Sequence, residues 1–103
     1  MFGDLFICQF PFTSGAVSKL RPALVLFDPR EDAIICRVTS AQRSGPMDTV
    51  LIDWQSAGLL KPSVDRLDRL VTAERTVFIR RLGALSPRDL EAVRSTWNRQ
   101  MRL

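Results

Sequence analysis

Lys19-Leu-Arg-Pro-Ala-Leu-Val-Leu26 is the stretch on which the reading of the fold turns. Ser14, Gly15 and Ser18 precede it. Pro22 stands where a strand's first residue can do without its N–H, and Ala23 to Phe27 is an apolar run of strand length. The stretch therefore reads as a polar loop, running from Phe12 to Leu20, that gives way to a buried strand. Arg21 is held at the junction. A cation so placed either faces a ligand or is a solvated strand end, and the stretch alone supports both.

Working outward, Leu5 to Phe10 reads as a strand with Phe6, Cys8 and Phe10 on one face and Leu5, Ile7 and Gln9 on the other, covered on both sides. Pro11 ends it. Beyond Phe27, Asp28-Pro29 and Arg30-Glu31-Asp32 make a polar turn, and Ala33 to Ser40 is a third strand in which Thr39 shares a half-polar face with Arg37. A polar loop with Gln42, Arg43 and Ser44 follows, then a short strand from Thr49 to Ile52 and a turn stopped by Gly58. Ser63 to Leu67 is extended; if it stays so, Arg66 and Asp68 lie side by side on one face. Thr76 to Arg81 is the last strand, closed by Gly83. Ser86 as N-cap, Pro87 at the first helical position and Asp89 three residues past the cap start a helix whose apolar stripe is Leu90, Val93, Trp97 and Met101. The expectation is a mainly β domain of five or six short strands with one C-terminal α-helix, a single domain over residues 1–103.

The chain has 103 residues, enough for one core and too few for two. It has no run of eighteen apolar residues and no basic segment leading into a long apolar one, so neither a membrane span nor a signal peptide is expected. Cys8 and Cys36 each lie in an apolar strand, as buried thiols rather than a disulfide. The absence of histidine removes serine–histidine and cysteine–histidine nucleophiles, histidine acid–base pairs and most transition-metal sites. Acid–base work must then come from carboxylates, arginines, hydroxyls or thiols. The net charge of +4 is uneven: residues 1–52 carry five basic and five acidic side chains, residues 53–103 ten and six. A basic half suits a polyanionic partner as well as a merely soluble surface.

Gly3-Asp4, Phe10-Pro11-Phe12-Thr13, Arg21 to Leu26, Thr39-Ser40, Gly58 to Ser63, Arg66-Leu67-Asp68 and Leu82 to Ser86 occur in an order and spacing that resembles the MazF/PemK/Kid family of toxins from bacterial type II toxin–antitoxin modules. The resemblance implies an SH3-like β-barrel, usually a homodimer, that cleaves single-stranded RNA (mRNA) in the cytoplasm at short sequence motifs with no metal or other cofactor. It implies 2′,3′-cyclic phosphate and 5′-hydroxyl ends, and neutralisation by an antitoxin that fills the RNA groove and binds promoter DNA. No membrane contact is expected. By the same resemblance Arg21 matches the arginine beside the scissile phosphate and Thr39 the active-site threonine, with Ser40 the serine that follows it in some members. Arg66 and Asp68 match the acid–base pair of the Kid-like branch. Contacts to RNA then fall to the loops, through Thr13, Ser14, Ser18, Lys19, Gln42 and Arg43, because the histidine that some members carry after the first strand is missing here.

Attack by a 2′-hydroxyl needs a base, a stabiliser of phosphorane charge and an acid for the departing 5′-oxygen. A histidine-free protein can meet the first need with Asp68, the residue the resemblance points to, as base. With a pKa above about 12 an arginine is a poor proton donor, so Arg21 and Arg66 read as bidentate phosphate clamps, with Thr39 and Ser40 orienting a phosphate oxygen. Each has a structural competitor: Thr39 and Ser40 as hydroxyls capping a turn, Arg66 and Asp68 as an exposed ion pair. Two other functions fit the same architecture, a gyrase poison like CcdB and an RNA-binding barrel that does not cut.

Overall fold

The computed structural model describes residues 1–10 and 19–103. The strands are β1 (Asp4–Phe10), β2 (Lys19–Phe27), β3 (Asp32–Thr39), β4 (Asp48–Leu51), β5 (Ser63–Glu74) and β6 (Phe78–Ala84), and one helix, α1 (Pro87–Gln100), ends the chain. They form one antiparallel sheet in the order β4-β5-β3-β2-β1-β6. The fold is mainly β with a C-terminal helix, as the sequence reads. No ladder joins β4 to β6, so the barrel is not strictly closed. The turn after β4 bridges the gap instead. Gly58 (φ +91°) lies so near the Leu82 carbonyl that a Cβ there would come within 2.2 Å of its oxygen, and a Cβ on Gly83 would lie 2.5 Å from the Ala57 carbonyl oxygen. Only glycine allows this approach of turn and strand.

Several boundaries differ from the sequence reading. β2 starts at Lys19, three residues before Pro22, because Lys19 and Leu20 pair with Phe10 and Gln9 of β1. The expected Ser63–Leu67 segment is part of one strand that runs to Glu74. A register shift between Cys36 and Arg37 inserts Leu67, Asp68 and Arg69 into β5 and bends it. Such an insertion has no signature in local alternation. Residues Arg75–Val77 form a single 3₁₀ turn, so β6 begins at Phe78 rather than Thr76, and it runs through Gly83 to Ala84.

The two faces of the sheet hold separate apolar clusters. Leu5, Leu24, Cys36, Val38, Leu51 and Leu67 lie beneath α1, where Val93 is buried and Leu90 and Trp97 pack in part. Cys8, Phe10, Ala23, Val25, Ala33 and Ile35 make the other cluster, with the stacked rings of Phe6 and Phe78 (centroids 4.7 Å apart) beside it. Burying each large aliphatic side chain contributes about 1.5–3 kcal/mol. Both cysteines are free and buried, as expected.

Helix α1 is capped as its sequence suggests, with the Ser86 hydroxyl accepting the Asp89 N–H at 3.3 Å. Asp89 does not reach back to the cap. Its carboxylate, 1% exposed, accepts the backbone N–H groups of Ile52 (3.0 Å) and Asp53 (2.8 Å). In return Asp53 accepts the Ser86 hydroxyl at 2.6 Å and both Arg88 Nε (2.8 Å) and a terminal guanidinium nitrogen (2.7 Å), which hold its carboxyl down at about 2.

Asp65 is the other buried carboxyl. It faces the helix side, level with Val38 and Thr49, and accepts the Cys36 thiol at 2.9 Å through Oδ1, while Oδ2 has no hydrogen-bond partner among the described residues. Burial raises its pKa from 3.8 to about 7, against the Cys36 hydrogen bond that lowers it and with Asp48 adding repulsion. Burial also holds the Cys36 thiol well above its ordinary value.

Two stability predictions follow from these carboxyls. Asp89→Ala leaves two N–H groups without their acceptor and should cost about 2–4 kcal/mol in urea unfolding. For Asp65 the folded state holds its proton to higher pH than the unfolded chain does, so stability is full below about pH 4 and falls as pH rises through about 7. Asp65→Asn, which keeps an acceptor for Cys36, should remove that slope and be the more stable protein at pH 8.

Candidate functional site

A cleft of about 730 Å³ opens at the end of the sheet where β2 begins and β3 ends. Neighbours of opposite parity line it together, Arg21 with Pro22 and Val38 with Thr39, so it lies across the strand ends rather than on one face. One wall is the glycine-stopped turn from Gly58 to Lys61, and the other is Arg80 to Leu82 of β6. Among the described residues five cationic side chains line it (Arg21, Arg37, Lys61, Arg80 and Arg81) and no carboxylate does. Such a concentration of one sign of charge in a cleft attracts polyanions.

Arg21 sits where the sequence places it, half-buried beside Pro22, whose ring restricts the Arg21 backbone to extended conformations. Its Nε is buried with no hydrogen-bond partner among the described residues. Thr39 lines the same cleft, at the end of β3 beyond the Ala23–Arg37 pair that begins the ladder with β2. The Thr39 hydroxyl oxygen accepts the Ala41 N–H at 3.1 Å, the turn-capping role that strand-end hydroxyls often have, and this leaves its O–H free to donate into the cleft. Ser40 lines the cleft and is exposed. The structure therefore brings Arg21, Thr39 and Ser40 together.

Arg66 and Asp68 lie outside the cleft lining. Arg66 Nε and Asp68 Oδ1 are 3.6 Å apart, side by side as the sequence suggests, with Asp68 at the inserted segment of β5 and 45% exposed. Arg66 reaches the cleft only by way of Arg37, its direct partner across β3 and β5. Burial lowers the Arg37 pKa, and the positive charges of Arg21, Arg66, Arg69 and Arg43 lower it further. Arg43 is drawn to Asp48 (3.3 Å), whose carboxylate also accepts the Gly45 N–H at 2.8 Å. Lys19 and Gln42 are exposed and not part of the cleft lining. Thr13, Ser14 and Ser18 lie outside the described residues. Trp54 and Trp97 are both partly buried and pack against the helix-side core.

Arg37, Lys61, Arg80 and Arg81 were not singled out by sequence reasoning. The signal for Arg37 was present, since strand alternation puts it on the face of Thr39. Arg80 and Arg81 had none: register shifts between β1 and β6, at Leu5/Phe6 and Ile7/Cys8, decide where they point.

The family model described as PemK-like, MazF-like toxin of type II toxin–antitoxin system matches residues 1–101. No curated protein matches the chain by sequence. Among solved structures the chain is similar to the Mycobacterium tuberculosis toxin MazF-mt6, at 22% identity over 92% of this chain and 93% of that one with a TM-score of 0.75. It is similar to a mycobacterial endoribonuclease in complex with its cognate antitoxin (16% identity, 98% and 93% covered, TM-score 0.75). A MazE–MazF complex from Deinococcus radiodurans also matches, at 20% identity, with 96% and 92% covered and a TM-score of 0.72. At these identities the likeness is one of fold.

An anion that binds the folded cleft stabilises it by mass action, by about 1.4 kcal/mol at ten times its dissociation constant. Inorganic phosphate at constant ionic strength should therefore raise the melting temperature by several degrees. The Arg21→Gln, Lys61→Met double variant should lose that rise, and an equal rise in native and variant would show that the cleft is not the site.

Proposed function

Because the chain belongs to the PemK-like, MazF-like toxin family of type II toxin–antitoxin systems, we propose that it is a metal-independent endoribonuclease toxin that cuts single-stranded RNA, mRNA among it, in the cytoplasm and so arrests translation and growth. One observation carries this reading above the rest: Arg21, whose buried Nε has no hydrogen-bond partner among the described residues, lines the same five-cation cleft as Thr39. A phosphodiester satisfies what the cleft leaves open. The Arg21 guanidinium takes two non-bridging oxygens in a forked contact, and the Thr39 O–H donates to one of them. As the 2′-oxygen attacks phosphorus, negative charge grows on those oxygens, and donors already in place stabilise the pentacoordinate state without reorganising.

The proton must go elsewhere. Among the described residues no carboxylate lines the cleft, so a base has to come from outside its lining. Asp68 takes that role, with Arg66 holding it at 3.6 Å. Cleavage then leaves a 2′,3′-cyclic phosphate, and the departing 5′-oxygen takes a proton from water to become a 5′-hydroxyl. The natural inhibitor of such a cleft is an acidic antitoxin segment, and a second copy of the chain completes the RNA groove. An RNA-binding module that does not cut is the competing reading, favoured by the distance of Asp68 from the cleft lining.

Incubation of the purified protein with mixed-sequence single-stranded RNA in excess chelator, with the ends mapped, decides between them. Site-selective cuts with cyclic phosphate ends are expected. Arg21→Ala and Thr39→Ala should lower the rate by at least about 10²-fold with the fold intact, and Asp68→Asn should lower it while binding persists. Full cleavage by a well-folded Arg21→Ala protein would remove the assignment. A mobility shift without cuts would replace the enzyme with the binding module.

A further inference from the structure

Leu60 is 92% exposed, and among the described residues no other large apolar side chain short of the chain ends is as exposed. It is also the one exposed large apolar residue among them that lines the cleft. Its backbone is held on both sides. Leu59 before it is buried in the helix-side core and donates its N–H to the Trp54 carbonyl at 3.1 Å, and the Lys61 carbonyl after it accepts the Ser63 hydroxyl at 2.7 Å. With Gly58 set against the Leu82 carbonyl, the turn presents this leucine in one place before any ligand arrives.

The surroundings select the occupant. Arg80 pairs with Ile7 across β6 and β1, and Ile7 with Pro22 across β1 and β2, so the three form one row on one face, two strand spacings or about 9.6 Å long. All three line the cleft, and Ile7 and Pro22 are half-buried. An apolar floor is thereby bounded by Arg80 on one side and by Arg21, next to Pro22, on the other, with Lys61 beside Leu60. The side chains of Arg21, Lys61 and Arg80 have no hydrogen bond or ion pair among the described residues. A nucleotide matches that pattern, with an uncharged flat base between phosphates. A second copy of the chain, at net +4, would bring like charge to the cleft.

We infer that Leu60, with Ile7 and Pro22, forms a nucleobase subsite that takes the base of a nucleotide adjoining the phosphate gripped by Arg21 and Thr39. This rests on the reading of the cleft as an RNA site. The contact is aliphatic and offers no hydrogen bond, so the subsite admits any base and favours the larger purine ring.

The test uses two uncleavable probes of one length, a 2′-O-methyl RNA and its abasic sugar–phosphate counterpart, with native protein, Leu60→Ser and Leu60→Met. Leu60→Ser should bind the RNA about tenfold more weakly and the abasic strand as native protein does. It should lose more on a purine strand than on a pyrimidine strand. Its slope of log K against log salt should match that of native protein, because no phosphate contact is removed. Leu60→Met keeps the apolar area and should keep the affinity. The Leu60→Ser melting temperature should equal that of native protein, since the side chain is almost wholly exposed. The inference is overturned by equal losses on both probes, by a changed salt slope, by a fall in melting temperature, or by a change in sedimentation mass that would make Leu60 a subunit contact. A peptide of Asp, Glu and Leu that loses affinity for Leu60→Ser while RNA does not overturns it as well. Native protein that binds neither probe overturns both this and the reading of the cleft, while native protein that binds and cuts RNA beside an unaffected Leu60→Ser overturns this alone.

Discussion

The carboxylate of Asp89 holds the architecture together at the point where it is otherwise open. By accepting the Ile52 and Asp53 N–H groups it satisfies two backbone donors just beyond β4, and Asp53 returns the contact to Ser86 and Arg88 at the start of α1. The helix is thereby pinned over the helix-side core. The turn that follows is pinned with it, which sets Gly58 against the Leu82 carbonyl and places one cleft wall opposite the other. A hydrogen-bond pair 36 residues apart in sequence thus shapes a cleft to which neither partner contributes a side chain.

The sheet separates two kinds of charge. Beneath the helix it buries Asp65 beside Cys36, where burial opposes the ionisation of both. On the opposite face it gathers Arg21, Arg37 and Arg66, whose charges burial cannot remove. Adjacent residues of one strand have opposite fates here: Asp65 turns inward and is lost to catalysis, while Arg66 turns outward. The period of two along β5 makes that division, and the inserted Leu67, Asp68 and Arg69 then break the period so that Asp68 stays near Arg66 at the surface.

What was legible in the sequence is what depends on neighbours along the chain. Ser86 and Pro87 mark the helix start because a cap and a first helical residue have local requirements. Arg21 and Thr39 are legible as a pair because two strand ends carry them to the same end of an antiparallel sheet. The role of Asp89 was not legible, since nothing near it names Ile52 as its partner. The same holds for Asp65 against Asp68. Both are aspartates on one strand within three residues, and only the position of an insertion, set by pairing with β3, separates a buried acid from an exposed one. Arg80 and Arg81 escaped for the same reason, through the shifted register of β1 and β6.

On the proposed reading the cleft divides its work unequally. The guanidiniums and the Thr39 hydroxyl sit in place before the ligand arrives, and preorganised donors of this kind carry the larger share of a phosphoryl-transfer barrier. The base is less well placed: Asp68 is 45% exposed and tied to Arg66 at 3.6 Å. Arg66 is the more buried partner, 11% exposed, so a rearrangement of the pair moves the carboxylate rather than the guanidinium.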